Sequence, residues 1–162
     1  MSLLRRDPRT PHRRRVDAFL ASVMPTEPLI GLHLGSGARS RQRGRFRPAE
    51  GQRWIDVDIQ ALGDVRADAR WLPFSAGSVD AVRATECLYS TLDVFSVLRE
   101  CRRVLRGSGA LVVTCPTLLP YPIDPWDVLR LTPWGWIAAL RTVGFHVEQV
   151  EEWRTGVGVL AR

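Results

Sequence analysis

Apolar positions along the chain follow two periods. Between residues 12 and 22 they recur at Val16, Phe19 and Leu20, continuing to Val23, the spacing of one helix face, and Pro25 and Pro28 end the segment. Between residues 91 and 105, Val94, Val97, Leu98, Cys101, Val104 and Leu105 line one face, while Arg99, Glu100, Arg102 and Arg103 lie off it. Asp93 in the first turn and Arg106 past the end suit the helix dipole, and Gly107 and Gly109 are expected to stop the helix. Pro133 opens a third helix that runs to about residue 143. The remaining apolar runs are short and read as strands: 29–34, 54–58, 63–67, 78–84, 110–115, 145–150 and 156–161. The run 110–115 is apolar throughout, as in the centre of a sheet covered on both faces. Strands alternating with helices predict an α/β sheet whose ligand sits at the strand ends.

Composition changes this picture in two places. All 23 basic residues are arginine, which excludes a lysine Schiff base or a P-loop lysine. The charge is also uneven: residues 1–53 hold 12 Arg against four acids, a balance of +8, and the remainder holds 11 Arg against 13 acids, a balance of −2. A basic N-terminal arm, residues 1–11, is therefore expected ahead of a single domain, residues 12–162. A basic loop over residues 38–52 stands where a doubly wound fold normally has a helix. Arg39, Arg41, Arg43, Arg45 and Arg47 alternate there with polar residues, Gly44 and Pro48, with only Phe46 apolar. Such a patch holds phosphates or is simply solvated. Cys87, Cys101 and Cys115 are an odd number without close spacing, so they read as buried thiols rather than a disulfide framework or metal site. No apolar stretch approaches the roughly 20 residues that span a bilayer, and a cytoplasmic location is expected.

Candidate chemistry gathers at the ends of successive strands. The run 32–37, LHLGSG, ends in glycines that let the backbone turn sharply and meet a ligand closely. Asp58 closes the next strand, where a carboxylate accepts hydrogen bonds from ribose hydroxyls. Asp56 is expected to point to the other face. Asp68 and Ala69 offer a carboxylate and an amide to a base edge, and Thr85 and Glu86 end the fourth strand. A dinucleotide wants a third glycine and an immediate helix start to hold a pyrophosphate, and residues 38–41 supply neither. A nucleotide cofactor without a pyrophosphate is therefore favoured over a dinucleotide. His33, inside a strand, reads as a packing residue, and Asp127 with Arg130 as an ion pair fixing a loop.

With these stretches the chain resembles a class I S-adenosylmethionine-dependent methyltransferase of the small type 11 kind. The matching segments are LHLGSG (32–37), WIDVDI (54–59), DVRADARWLPFSAGSVDAV (64–82), VLRECRRVLRGSGALVVTCP (97–116) and DVLRLTPWG (127–135). The resemblance implies a doubly wound, Rossmann-like, mostly parallel sheet in a three-layer sandwich. An antiparallel C-terminal hairpin strand ends that sheet, and the connection after the first strand is shortened. It implies that Gly35, Ser36 and Gly37 flank the methionine part of S-adenosylmethionine, that Asp58 binds ribose and that Asp68 with Ala69 reads adenine. Glu86 is placed near the methionine part or the substrate. Tyr89 and Ser90 stand where relatives carry Glu and His.

The leading expectation is methyl transfer to a small or medium organic acceptor. No general base is evident; Glu86, Tyr89 and Asp127 are the candidates, and Tyr121 and Trp126 lie on a loop suited to an acceptor pocket. The alternative is a degenerate, non-catalytic cofactor- or partner-binding relative. A third reading is an RNA methyltransferase that uses the N-terminal arginine patch. Nucleic acid is the less favoured partner because the arm has no interleaved aromatics on which bases would stack.

Overall fold

The first helical period forms α1 (Pro11–Val23) in this computed structural model, which describes residues 10–37, 48–60, 63–118 and 127–162. Thr10 caps α1 by accepting the Arg13 N–H, and Pro11 occupies the first turn, where its missing N–H costs nothing. Residues 10 and 11 thus belong to the helix start. The rest of the expected arm lies outside the described residues, as do Arg39 to Arg47 of the basic loop and both Tyr121 and Trp126.

The strands are β1 (Ile30–Leu34), β2 (Arg53–Asp58), β3 (Val65–Arg66), β4 (Val79–Thr85), β5 (Leu105–Pro116), β6 (Val147–Trp153) and β7 (Gly156–Ala161). They form one sheet in the order β3-β2-β1-β4-β5-β7-β6. The pairs from β3 through β5 are parallel, and β7 is antiparallel to both β5 and β6. The expected doubly wound sheet with a C-terminal hairpin is the observed one.

Helices α2 (Val94–Val104) and α3 (Pro133–Thr142) cover one face of the sheet, and α1 covers the other. Side chains alternate along a strand, so β5 feeds both layers. Leu111, Val113 and Cys115 join the core with Val97, Leu98 and Trp136, while Ala110 and Val112 pack under Val16 and Phe19. Asp93 caps α2 through the Ser96 N–H. Among the described residues no helix is long and apolar enough to cross a membrane.

Two sequence expectations need correction. Gly107 and Gly109, expected to stop a helix that reaches Leu105, lie in the first part of β5, where Leu105 pairs with Val79 before the register shifts ahead of Ala81. Leu105 has extended dihedrals, and Gly109 lies so close to β4 that a Cβ there would sit 3.0 Å from the Asp80 carbonyl. Glycine here allows a tight strand approach rather than ending a helix. Asp56 also shares a face with Asp58, since residues two apart in a strand point the same way. Ile55 and Val57 fill the α2 side, and Asp56 meets His33 on the opposite side.

Candidate functional site

Strand order reverses between β1 and β4, and the ends of these two strands are where an open α/β sheet leaves a crevice. The sequence places a glycine turn on one side and Glu86 on the other. Gly35 has φ +62°, and a Cβ on it would lie 2.4 Å from the Cys87 Cβ, so only glycine lets the two strand exits touch. The Gly35 N–H donates to the Val57 carbonyl at 2.9 Å, which leans the turn over β2. Gly37, also at positive φ (+64°), donates its N–H to Asp58 Oδ2 at 2.9 Å. Asp58 Oδ1 accepts the Gln60 N–H at 2.8 Å. Each carboxylate oxygen keeps a lone pair after these bonds, so Asp58 orders the turn and retains accepting capacity for a ligand hydroxyl.

Asp68 and Ala69 follow β3, whose end is tied to β2 by the Ala67 N–H donating to the Asp58 carbonyl at 3.1 Å. Asp68 is already engaged. Arg70 Nη2 reaches Oδ2 at 2.6 Å and Arg70 N–H reaches Oδ1 at 2.9 Å, and the guanidinium holds the Asp68 carboxyl below the usual range. Ala69 is half-buried against the core. The loop that follows is clamped from α2, a contact not foreseen from the helix pattern. Glu100 accepts the Leu72 N–H at 2.8 Å, and Arg103 donates to the carbonyls of Leu72 and Phe74 at 2.9 and 2.7 Å.

Glu86 has φ +54°, a left-handed conformation that costs a residue with a Cβ and persists only where neighbours enforce it. Its Oε2 receives His12 Nε2 at 2.8 Å, and its Oε1 is buried without a partner. Three hydroxyls near the same strand ends are likewise buried and unpartnered: Ser36 Oγ, Thr85 Oγ1 and Thr114 Oγ1, the last two facing each other in register across β4 and β5. Orphaned buried polar atoms are rare, and each of these marks a place for water or a polar ligand. His12 itself was missed by the sequence reading. Nothing local marks it, because its partners lie 74 and 143 residues away.

The other candidates sit further along the same rim. Tyr89 lies in a short 3₁₀ turn, Leu88–Ser90, and its carbonyl accepts the N–H groups of Val128 and Leu129, each at 3.0 Å. This joins the stretch after β4 to the loop carrying Asp127. Asp127 is paired with Arg130, whose hydrogen bonds hold its carboxyl below the usual carboxylate range, a poor condition for a proton acceptor at neutral pH. Burial pushes the thiols of Cys87, Cys101 and Cys115 upward, Cys101 to about 12, so none is poised as a thiolate. No group of three or more His, Cys, Asp or Glu among the described residues is placed to hold a metal ion.

Known proteins share this fold. A crystallised S-adenosylmethionine-dependent methyltransferase from Aquifex aeolicus has the same fold, with a TM-score of 0.69 over 94% of this chain and 93% of that one at 18% identity. In sequence, 107 residues are 31% identical to a probable S-adenosylmethionine-dependent methyltransferase of Mycobacterium tuberculosis, covering 56% of this chain and 39% of that protein. A further 114-residue match, 32% identical, is to a demethylmenaquinone methyltransferase of Thermotoga maritima, covering 64% of this chain and 49% of that protein. The chain thus matches less than half the length of the Mycobacterium and Thermotoga relatives. The family model described as a methyltransferase domain matches residues 24–113, more than half of the sequence, and the chain belongs to that family.

Proposed function

We propose that the chain binds S-adenosylmethionine across the ends of β1, β2 and β4 and transfers its methyl group to a small or medium organic acceptor. The observation that carries this reading is the Gly37–Asp58 hydrogen bond. It fixes a glycine turn over a carboxylate that still accepts, while Ser36 Oγ and Glu86 Oε1 beside the turn lack partners. A ligand with a ribose at one place and a polar amino-acid end at another fits that donor and acceptor set. S-adenosylmethionine is also the cofactor that agrees with family membership.

In this reading Gly35, Ser36 and Gly37 admit the amino-acid end, and Asp58 accepts from the ribose hydroxyls. Asp68, oriented by Arg70, accepts from the adenine amine, and the Ala69 N–H faces the ring. When bound, the cofactor supplies a methyl group already activated by its sulfonium. The work left to the protein is to align the acceptor atom and exclude competing water. Glu86 and Tyr89 remain the candidates for taking a proton from an acceptor hydroxyl or carbon acid. Asp127 is better explained as the Arg130 partner that shapes the loop. A small organic acceptor is supported by the Thermotoga relative, which is named for methylation of demethylmenaquinone.

One observation favours a second reading, a cofactor-binding relative without catalysis. The Tyr89 carbonyl is used to anchor the following loop, at the place where the resemblance implies Glu and His rather than Tyr89 and Ser90. Titration calorimetry with S-adenosylhomocysteine tests the shared premise, with micromolar binding expected; absence of binding overturns both readings. Release of S-adenosylhomocysteine from S-adenosylmethionine in the presence of an acceptor decides for the enzyme. The arginine patch of the RNA reading lies mostly outside the described residues, and steeply salt-dependent RNA binding is what that reading requires.

A further inference from the structure

The N-terminal helix reaches into the cofactor site through one side chain. His12, in the first turn of α1, places Nε2 2.8 Å from Glu86 Oε2. Its other nitrogen, Nδ1, is 2.8 Å from Thr155 Oγ1 and 3.3 Å from Trp153 Nε1, both from the β6–β7 hairpin. An indole N–H only donates, so Nδ1 accepts and the ring proton sits on Nε2, directed at Glu86. The hairpin is shaped for this contact. A Cβ on Gly156 would lie 2.7 Å from Trp153 Nε1 and 2.9 Å from His12 Cε1, so the glycine leaves room for both rings. Glu86 meanwhile holds a left-handed backbone conformation and an unpartnered Oε1 at the switch point.

We propose that His12 is a positioning residue for the cofactor: held by Thr155 and Trp153, it occupies Glu86 Oε2 and thereby aims Oε1 at the α-ammonium of the cofactor's amino-acid end. This rests on the S-adenosylmethionine reading and adds to it a residue from outside the matched segment 24–113. The pair explains why a strained Glu86 is tolerated. One carboxylate oxygen is spent on a fixed donor, so the other keeps a single direction, and a fixed acceptor loses less rotamer freedom when the ammonium arrives. A carboxylate left to rotate would face the same ligand with both oxygens partly hydrated.

The test compares two ligands that differ in the part Glu86 is proposed to hold. S-adenosylhomocysteine carries the amino-acid end, and 5′-methylthioadenosine keeps the adenine, ribose and sulfur without it. Calorimetry on the full chain is expected to show His12→Ala weakening S-adenosylhomocysteine about tenfold, the scale of a lost hydrogen bond to a charged group. Binding of 5′-methylthioadenosine is expected to stay within about twofold of wild type. His12→Gln, whose amide donates from a similar position, restores most of the loss. Glu86→Gln keeps the His12 contact and removes the charge, and is expected to show the same ligand-selective loss should His12→Ala fold poorly. Equal weakening of both ligands makes His12 a packing residue and overturns the proposal, as does unchanged S-adenosylhomocysteine binding in both variants. A wild type that binds neither ligand overturns the cofactor reading and this inference with it, whereas wild-type binding with unselective variants overturns the inference alone.

Discussion

His33 and Asp56 face each other across β1 and β2, with His33 Nδ1 3.1 Å from Asp56 Oδ1. The carboxylate only accepts, so the ring proton lies on Nδ1; Arg83 Nη2 is 3.1 Å from both ring nitrogens, of which Nε2 is the one left to accept. Burial pushes the His33 pKa down; the bond to Asp56 opposes this, and the Arg83 charge lowers it further. The unfolded chain therefore takes up a proton as pH falls below about 6.5, while folded His33 stays neutral to a lower pH. Stability is full above that value and is lost as pH falls from it toward the folded pKa. Urea denaturation across this range is expected to show a falling midpoint that flattens in His33→Gln; an identical slope in the variant would remove His33 as its source.

The Asp58 carboxylate accepts from the glycine turn and, in the proposed function, from the cofactor's ribose as well. Asp58→Asn is expected to weaken S-adenosylhomocysteine about tenfold or more, because an amide puts a donor where either an N–H or a hydroxyl must be accepted. Calorimetry measures it, and affinity unchanged from wild type would place the ribose elsewhere.

Glu100 is the sequence-distant partner of Leu72. Glu100→Ala leaves the buried Leu72 N–H unpaired and is expected to cost about 1–2 kcal/mol in chemical denaturation. Arg103 holds the Glu100 carboxyl below its ordinary value of 4.5. The contribution is present above that value and disappears as pH falls through the lower folded one. The gap between wild type and variant should close in acid; a gap that widens there would contradict the assignment.

Cys101 lies at the centre of the α2 layer, fully buried, its thiol pushed up to about 12 by desolvation. An aromatic disulfide reagent at pH 8 is expected to leave it unmodified in the native chain and to modify it in denaturant. Peptide mapping that finds Cys101 labelled before unfolding would show that the α2 layer opens.

Helix α1 is seated on the glycines of β7. A Cβ on Gly158 would lie 2.4 Å from Phe19 Cδ1, so Gly158→Ala is expected to destabilise the fold by about 1–3 kcal/mol. Phe19→Leu in the same chain should recover part of the loss. Additive effects of the two changes, followed by urea denaturation, would show that they do not share this contact.

The fold and the family were legible because their signals are local. The apolar face of α2, the alternating strands and the residue order Gly35, Gly37, Asp58, Asp68 all sit within short windows of sequence. What was not legible depends on tertiary approach. Nothing around Gly109 distinguishes a helix stop from a strand pressed against the Asp80 carbonyl. The facing of Asp56 follows from strand period and was misassigned, since it shares the side of Asp58. His12 meets Glu86 and Thr155 only once the sheet has formed, and no spacing rule relates residues so far apart.

The His12–Thr155 contact spans a separation of 143 residues, from the first helix to the turn before the last strand. Chains emerge from synthesis N-terminus first, and contacts between distant residues carry the largest loop-closure cost. The turn at Gly35 and the carboxylate of Asp58 can come together early, among neighbouring strands. The clamp on Glu86 cannot, because half of it is made last. Ligand affinity toward the amino-acid end would then appear only with the final hairpin, making cofactor capture a late reporter of correct folding.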